Sequence, residues 1–443
     1  MTTITVDTGG HKDHIFIARL SYVLDFIRNH PCAPDGIVIV INEIKNTGKV
    51  IHYSVEGGAF QIVPQKVFFV QSQILLSQPK EIALNVQNHL LKGFANNGGS
   101  KFMPFDIFET IFFHISRYEE WFVVDNHLDQ HGTLDSNHQY LVKNNLQQTP
   151  IVDLLVLYFL EKIQLQPKEI ETKYMLSHDI DVLQKYPSFY KFLRGYGNII
   201  CYQPNKIKNI IRLTSSYINF ILGKQTDPYD TFEWLLQSNH PNISKKIIYW
   251  LTGGNTSYEG FFGIFDPKVG AIIQKSAKQG YRIGLHPSYN TISDKVMMGE
   301  ELETLCQVAS LKINDIRQHF LRFEVKRTGK ILDELGIKTD SSLGYRDRIG
   351  FRCGTGFPYR LYNFEAESAF NFFEIPLVVM DIAAMREADW NSSAWCDLIT
   401  SFLERNKNAT HITFNFHNSF FDPALVDADL IKTWYIKTFN VET

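Results

Sequence analysis

The sequence predicts an α/β protein in two parts: a β/α barrel over residues 171–443 and a smaller α+β domain over residues 1–170. From residue 174 onward, apolar runs with strand character alternate with segments of helical spacing. Such alternation is typical of a mostly parallel sheet with helical crossovers. Polar clusters follow the apolar runs, as on the catalytic face of a β/α barrel. Residues 164–172 are the predicted linker between the two parts.

The first part begins with a predicted amphipathic helix at residues 15–27, where apolar side chains recur at helical spacing. Apolar runs at residues 37–41, 51–54 and 67–70 predict three strands. Residues 96–100, which are Asn-Asn-Gly-Gly-Ser, predict a loop. Together these elements indicate an α+β start.

The aromatic-rich residues 105–121 predict a buried helix that ends in charged side chains. Glu119 and Glu120 are a candidate functional pair. The favoured interpretation is structural: Arg117 pairs with a carboxylate and fixes the end of the helix. A polar loop at residues 125–149 follows.

Charged and imidazole side chains stand at several predicted strand ends of the second part. Asp179 and Asp181 point the same way at the end of a strand, because strand side chains alternate with period two. Two like charges in one place are unfavourable unless a cation or a proton lies between them. The alternative is that Ser177 and Asp179 cap the next helix. In a barrel, one cavity would be surrounded by Asp179, Asp181, His286, Arg317, His319, Asp381 and His417.

This set of side chains suits metal-assisted hydrolysis. Neutral imidazoles and carboxylates bind Zn²⁺ and similar ions. A carboxylate held by an Arg can take a proton from attacking water, and a His on the opposite wall can protonate a leaving amine. The sequence has no GxSxG, GxxxxGK[ST] or GxGxxG pattern, which disfavours serine hydrolases, nucleotide-driven enzymes and dehydrogenases.

Composition and charge indicate which partners and which cellular location the protein is expected to have. The net charge of −3 gives no electrostatic footprint for nucleic acid. Five cysteines without a CxxC pattern indicate reduced thiols and a cytoplasmic location. No secretion signal is visible, and no apolar run approaches the roughly 20 residues of a membrane span.

Residues 174 to about 420 resemble a divergent NodB-type polysaccharide deacetylase domain, of the carbohydrate esterase family 4 group. The resemblance rests on motifs in the family's order: HDID at 178–181, LHPSYN at 285–290, RQHF at 317–320, MD at 380–381 and FH at 416–417. It implies a distorted β/α barrel that removes acetyl groups from an N-acetylated sugar or a cell-surface polysaccharide precursor. The expected partner is therefore a carbohydrate substrate.

The resemblance also implies individual roles. Asp179 would be the general base, oriented by Arg317. Asp181 and His286 would bind a divalent metal, with Zn²⁺ expected. His417 would be the general acid, and Asp381 would belong to the same catalytic set.

Two further residues are candidate substrate ligands, Arg352 and Tyr289. Arg352 is flanked by glycines in the run Gly-Phe-Arg-Cys-Gly and could bind a substrate anion. The alternative, that it pairs with a carboxylate such as Asp340 or Asp347, is equally open.

One position departs from the family pattern. The second His of the usual metal triad is Asn290 here, and an amide oxygen is a poorer Zn²⁺ ligand than imidazole. His319, or else His178, could complete the site in its place. Two alternatives stay open: a metal-independent amidohydrolase on the same scaffold, and a non-catalytic glycan-binding protein.

The N-terminal part resembles the uncharacterised domain that precedes such deacetylase domains in many bacterial proteins. The matching segments are FDIF at 105–108, SRYEEW at 116–121 and PIVD at 150–153. This resemblance implies no activity. Formation of a homo-oligomer through this domain is an expectation without a supporting motif.

Overall fold

The computed structural model describes residues 2–10, 12–43, 49–53, 61–62, 106–202, 206–260 and 262–440. The strand predicted at residues 67–70 and the loop predicted at residues 96–100 lie outside the described residues. The strands are β1 (Thr2–Asp7), β2 (Ile37–Ile41), β3 (Lys49–Tyr53), β4 (Gln61–Ile62), β5 (Tyr174–Ile180), β6 (Ile243–Leu251), β7 (Arg282–His286), β8 (Asp315–Ile316), β9 (Thr339–Asp340), β10 (Tyr359–Asn363), β11 (Ser368–Glu374), β12 (Val379–Met380) and β13 (Ile412–His417).

The helices follow in the same chain order. The α-helices are α1 (His14–Asn29), α2 (Ile107–Ile115), α3 (Tyr118–Trp121), α4 (Tyr140–Lys143), α5 (Ile151–Lys162), α6 (Phe189–Tyr202), α7 (Lys206–Ile221), α8 (Phe232–Leu235), α9 (Pro267–Lys278), α10 (Lys295–Ala309), α11 (Thr328–Glu334), α12 (Asp381–Glu387), α13 (Ser392–Arg405) and α14 (Ala428–Phe439). Short 3₁₀ helices lie at Asp125–His127, Ser136–His138, Tyr289–Ser293, His319–Leu321 and Asn418–Phe421.

The N-terminal sheet is small and parallel, in the order β2-β1-β3-β4. The helix predicted at residues 15–27 is confirmed as α1. Its N-cap is Asp13, whose carboxylate accepts a hydrogen bond from the backbone N–H of Phe16. The apolar face of α1 is buried through Phe16, Leu20, Val23, Leu24 and Ile27.

The helix predicted over residues 105–121 is two helices, α2 and α3. The break falls at Arg117, whose φ of 54° lies in the left-handed region and cannot continue a helix. The guanidinium of Arg117 is fully buried and bonds the carboxylates of Glu119 and Glu120. Arg117 therefore pairs with carboxylates at the helix end, as the favoured interpretation expected.

The large sheet has nine strands in the order β10-β11-β9-β8-β7-β6-β5-β13-β12. All neighbouring pairs are parallel except β10 with β11. The α/β class with a large, mainly parallel sheet is thus present. Within the described residues no strand pair joins β12 to β10, so closure into a barrel stays a prediction.

Parallel pairing brings the carboxyl ends of the strands to one edge of this sheet. In the register, Asp179 lies opposite His417 on β13. On the other side of β5, β6 and β7 follow, and β7 ends at His286. Arg317 directly follows β8, and Asp381 directly follows β12. The polar side chains predicted to share a site therefore start from one edge.

Buried contacts connect the two predicted domains. Arg19 on α1 makes two hydrogen bonds to the carboxylate of Glu367, at 2.7 and 2.9 Å. Tyr22 packs on Tyr362 of β10, with ring centroids 4.8 Å apart. The division near residue 170 stays a prediction, and the apolar core runs across it.

The described helices include none that is both long enough and apolar enough to cross a membrane. Two of them, α6 and α7, were not predicted from the sequence. The run from Asp227-Pro228 through Trp234 and Leu236 predicts a longer helix, but the structure has only the short α8 there. Asp227 instead accepts hydrogen bonds from the backbone N–H groups of Lys185, Tyr186 and Tyr229 and so fixes a loop.

Candidate active site

The first feature of the site is a buried ion pair between Asp179 and Arg317. Arg317 Nη1 donates to Asp179 Oδ1 at 3.0 Å, and Asn415 Nδ2 donates to Asp179 Oδ2 at 2.7 Å. Burial raises the pKa of Asp179, but the charges of Arg317, His286 and His417 outweigh it, so this pKa lies below its ordinary value. Asp179 is therefore an ionised carboxylate held in one orientation.

Arg317 itself is fixed on all sides. Nε and Nη2 donate to the backbone oxygen and the hydroxyl of Ser341, both at 2.9 Å, and Nη1 also donates to the hydroxyl of Ser177 at 2.8 Å. The guanidinium lies 4.4 Å from the ring centroid of Tyr249, a cation–π contact. No exposed surface remains on Arg317, so its charge acts on Asp179 and not on a ligand.

A second feature is the meeting of Asp181, His286 and His319. Asp181 Oδ1 lies 3.2 Å from His286 Nε2 and 3.6 Å from His319 Nδ1, and the two nitrogens are 3.0 Å apart. Tetrahedral Zn²⁺ with bonds of about 2.0–2.1 Å separates its ligand atoms by roughly 3.3 Å. The three side chains thus have the spacing of a metal site.

The hydrogen bonds that His286 and His319 make to backbone oxygens determine which of their ring nitrogens carry no proton. His286 Nδ1 donates to the backbone oxygen of Arg317 at 2.6 Å, and His319 Nε2 donates to the backbone oxygen of Tyr258 at 3.2 Å. The facing nitrogens then carry lone pairs. Asp181 Oδ1 is buried and receives no hydrogen bond from any described residue. Three bare acceptors around one point fit a divalent cation.

The pKa directions agree with a shared cation site. Burial raises the pKa of Asp181, but His319, His286 and His417 outweigh it and hold it below its ordinary value. Burial lowers the pKa of His319. For His286, Asp179 and Asp181 outweigh burial and raise the pKa.

The third feature is the pair His417 and Asp381. His417 Nδ1 lies 2.8 Å from Asp381 Oδ1, and the backbone N–H of His417 donates to Asp381 Oδ2 at 2.6 Å. The other ring nitrogen, Nε2, lies 3.7 Å from Asp181 and 3.9 Å from Asp179. Burial lowers the pKa of His417, but Asp381 and the two site carboxylates raise it to about 10. Nε2 of His417 is thus held toward the two site carboxylates.

Two predicted metal ligands lie elsewhere. Asn290 is solvent-exposed on the 3₁₀ helix after β7 and does not line the cavity beside the site. His178 is fully buried on the opposite face of β5 from Asp179, where its ring lies near Tyr281 and Tyr435. The period-two alternation of a strand places His178 there. Of the two residues that could replace the missing His of the metal triad, His319 joins Asp181 and His286 and His178 does not.

The two predicted substrate ligands have protein partners. Arg352 makes two hydrogen bonds to Glu120, at 2.8 and 2.9 Å, so the ion-pair alternative holds with a partner other than Asp340 or Asp347. Tyr289 bonds His131 through its hydroxyl at 2.9 Å and stacks on Tyr258. Arg352 still borders the cavity, whereas Tyr289 does not line it.

A cavity of about 670 Å³ opens in front of these side chains, and part of its wall comes from the predicted N-terminal domain. Eight residues between Asp129 and Gln139 line it, although the sequence indicated only a loop there. Arg346 joins the two walls, because its guanidinium bonds Asp129 and Thr133 from one and the backbone oxygen of Phe320 from the other.

Comparison with known proteins matches one family model. Residues 11–167 match a family of unknown function, DUF7033. The match covers the N-terminal part of the chain alone. No curated protein matches the chain in sequence.

Several solved structures are similar to the chain. A polysaccharide deacetylase from Mycobacterium smegmatis is 14% identical, covering 62% of this chain and 86% of its own, with a TM-score of 0.35. A polysaccharide deacetylase from Bacillus cereus is 9% identical, covering 61% of this chain and 92% of its own, with a TM-score of 0.29. The Puue allantoinase is 10% identical, covering 61% of this chain and 86% of its own, with a TM-score of 0.35. These TM-scores are below 0.5, so the likeness carries no argument about function.

Proposed function

We propose that this chain is a metal-dependent hydrolase of amide bonds that removes acetyl groups from an N-acetylated sugar or a cell-surface polysaccharide precursor. The observation that carries the proposal is the meeting of Asp181, His286 and His319 beside the Asp179–Arg317 pair. The substrate class follows from the motifs that resemble NodB-type deacetylases. Four of the five cysteines, Cys32, Cys306, Cys353 and Cys396, are free, which supports a cytoplasmic location.

Three side chains of this chain would hold the metal: Asp181 through Oδ1, His286 through Nε2 and His319 through Nδ1. Three protein ligands leave a position open for water or substrate, as catalytic zinc sites require. A divalent ion held there supplies a Lewis acid for the acyl oxygen and lowers the pKa of water. The remaining steps belong to Asp179 and His417.

Asp179 is the proposed general base. Its charge is preserved by Arg317, and Asn415 prevents the carboxylate from rotating. A fixed, ionised carboxylate can accept a proton from water as the water attacks the acyl carbon. Because Arg317 has no exposed surface, we assign it a positioning role.

His417 is the proposed general acid. Its protonated ring can transfer a proton from Nε2 to the leaving nitrogen, which completes the cleavage of the amide. Asp381 holds the ring through Nδ1 and keeps Nε2 directed at the site. The products are a carboxylate and an amine, and no covalent bond to the protein forms.

The two other hypotheses make different predictions. The metal-independent alternative rests on Asn290 in place of a His, but His319 would supply a third metal ligand without it. A non-catalytic glycan-binding protein would have no need for a carboxylate fixed by a buried Arg beside a proton donor. The site geometry therefore favours the metal-dependent version.

The test measures acetate release from N-acetylated glycans and sugar precursors by the purified chain, with bound metal determined by elemental analysis. We expect release that chelation abolishes and added Zn²⁺ restores, together with about one metal ion per chain. Asp179→Asn should abolish release while the metal stays bound. Asp315→Asn is the matched control, since Asp315 is a buried carboxylate at a strand of the same sheet that does not line the cavity.

Each alternative outcome decides against one hypothesis. Release that persists in the metal-free protein would establish the metal-independent version. Absence of release from every substrate, together with absence of bound metal, would contradict the proposal. Loss of release in Asp179→Asn with the fold intact would contradict the non-catalytic version.

A further inference from the structure

The connection between β5 and β6 contains a helical hairpin, formed by α6 and α7, that the proposed chemistry does not use. The hairpin has a small core of its own, in which Phe192 stacks on Tyr217 with ring centroids 3.7 Å apart. Gly195 lets the helices approach, since a Cβ there would lie 2.9 Å from the side chain of Leu213. The inner face of each helix therefore packs against the inner face of the other.

The outer faces of the same hairpin are apolar. Nine of the seventeen large hydrophobic side chains that are exposed among the described residues lie within residues 189–222. They recur at helical spacing, so each helix presents an apolar stripe to solvent. These residues are Phe189, Tyr190, Leu193, Ile200, Ile207, Ile211, Ile218, Ile221 and Leu222. Such a concentration marks an interaction surface.

The charge of the hairpin has a single sign. Residues 185–224 contain no Asp or Glu, although the whole chain has a net charge of −3. The basic residues in this range are Lys185, Lys191, Arg194, Lys206, Lys208, Arg212 and Lys224. Short helices that combine exposed apolar stripes with lysine and arginine are typical of segments that lie in the interface of an anionic membrane.

The hairpin is fixed to the sheet at the edge that carries the candidate site. It begins shortly after Asp181, and the carboxylate of Asp227 accepts the backbone N–H groups of Lys185 and Tyr186 at its base. Lys185 also pairs with Asp422, which follows β13. A surface that the hairpin contacts is therefore placed on the side of the protein where the cavity lies.

We propose that the α6–α7 hairpin docks this protein on the surface of an anionic lipid bilayer, with its apolar stripes in the interface and its basic side chains against the lipid phosphates. The helices have 14 and 16 residues, fewer than the roughly 20 needed to span a bilayer. A second copy of the chain is a poorer occupant, because two hairpins without acidic residues repel each other. This inference is independent of the proposed chemistry.

Flotation of the purified full-length chain with lipid vesicles tests the proposal. We expect binding to vesicles of phosphatidylcholine mixed with phosphatidylglycerol, weaker binding to phosphatidylcholine alone, and loss of binding as NaCl is raised. The variant Ile207→Ser/Ile211→Ser/Ile218→Ser should bind at least about tenfold more weakly, because it removes apolar area from the interface. Arg194→Glu/Arg212→Glu should also lose roughly tenfold or more.

The matched control removes exposed apolar side chains elsewhere: Phe265→Ser/Val296→Ser/Leu430→Ser should bind as the natural chain does. Circular dichroism and thermal unfolding establish that each variant is folded. Equal flotation of the natural chain with and without anionic vesicles would overturn the proposal. So would unchanged binding of the triple isoleucine variant. A lipid-free dimer that this variant dissociates, without vesicle binding by the natural chain, would assign the surface to a second copy and overturn membrane docking.

Discussion

The ring nitrogens His286 Nε2 and His319 Nδ1 face each other at 3.0 Å, and each ring uses its other nitrogen to donate to a backbone oxygen. Two lone pairs at this distance repel unless a cation or a proton lies between them. Asp181 Oδ1 completes the third side at 3.2 Å from His286. This relationship makes His319, and not Asn290, the residue on which metal affinity should depend.

Replacing His319 by Ala should therefore weaken Zn²⁺ binding by at least about 100-fold, since one of three protein ligands is lost. Asn290→Ala is the matched control and should bind Zn²⁺ as the natural chain does, because Asn290 is exposed and outside the cavity wall. Calorimetric titration of the metal-free proteins measures both affinities. Weakened binding in Asn290→Ala, with His319→Ala unaffected, would reverse the assignment.

Asp381→Asn should lower kcat by roughly 10²–10⁴-fold and leave KM nearly unchanged. The reason is that Asp381 does not line the cavity and acts through the ring of His417. A double-mutant cycle with His417→Gln separates this role from a general structural one. In the His417→Gln background we expect Asp381→Asn to cost almost nothing further. Additive losses in the cycle would contradict the assignment.

His131→Ala should raise KM several-fold and change kcat little. His131 belongs to the N-terminal wall of the cavity, bonds Tyr289 through Nδ1, and accepts a hydrogen bond from Arg322 through its backbone oxygen. Within the described structure, none of its hydrogen bonds or ring contacts involves Asp179 or His417. His127→Ala is the control, because His127 lies in the same segment but does not line the cavity. Steady-state kinetics on a substrate identified as above provides the measurement.

Local patterns in the sequence were sufficient for part of this site. Polar residues at the ends of apolar runs placed Asp179, His286, Arg317 and His417 at one edge of a parallel sheet, and these four side chains lie within contact distance of one another or of Asp181. Strand periodicity alone would also have excluded His178, since it differs from Asp179 by one position.

Features that depend on contacts distant in sequence could not be predicted in this way. Arg352 pairs with Glu120, which is 232 positions away, whereas the sequence offered the nearer Asp340 and Asp347. The direction of the chain after β7 turns Asn290 to solvent. The cavity wall from residues 129–139 depends on how the two predicted domains pack. No periodic pattern in the sequence indicates this packing.

The buried pair of Glu120 and Arg352 gives a prediction for stability against pH. Burial raises the pKa of Glu120, but Arg117 and Arg352 outweigh it and lower this pKa from 4.5 to about 2. A lowered pKa stabilises the folded chain at every pH above the pKa that Glu120 has in the unfolded chain. This stabilisation disappears as pH falls from about 4.5 to about 2. The shift corresponds to about 3 kcal/mol.

The free energy of unfolding of Glu120→Gln, measured with urea, should therefore fall below that of the natural chain by several kcal/mol at about pH 7, and this difference should shrink near pH 3. Glu365→Gln, which alters a half-exposed carboxylate 3.9 Å from Lys330, should change stability by less than about 0.5 kcal/mol at either pH. A difference between Glu120→Gln and the natural chain that is independent of pH would contradict the prediction.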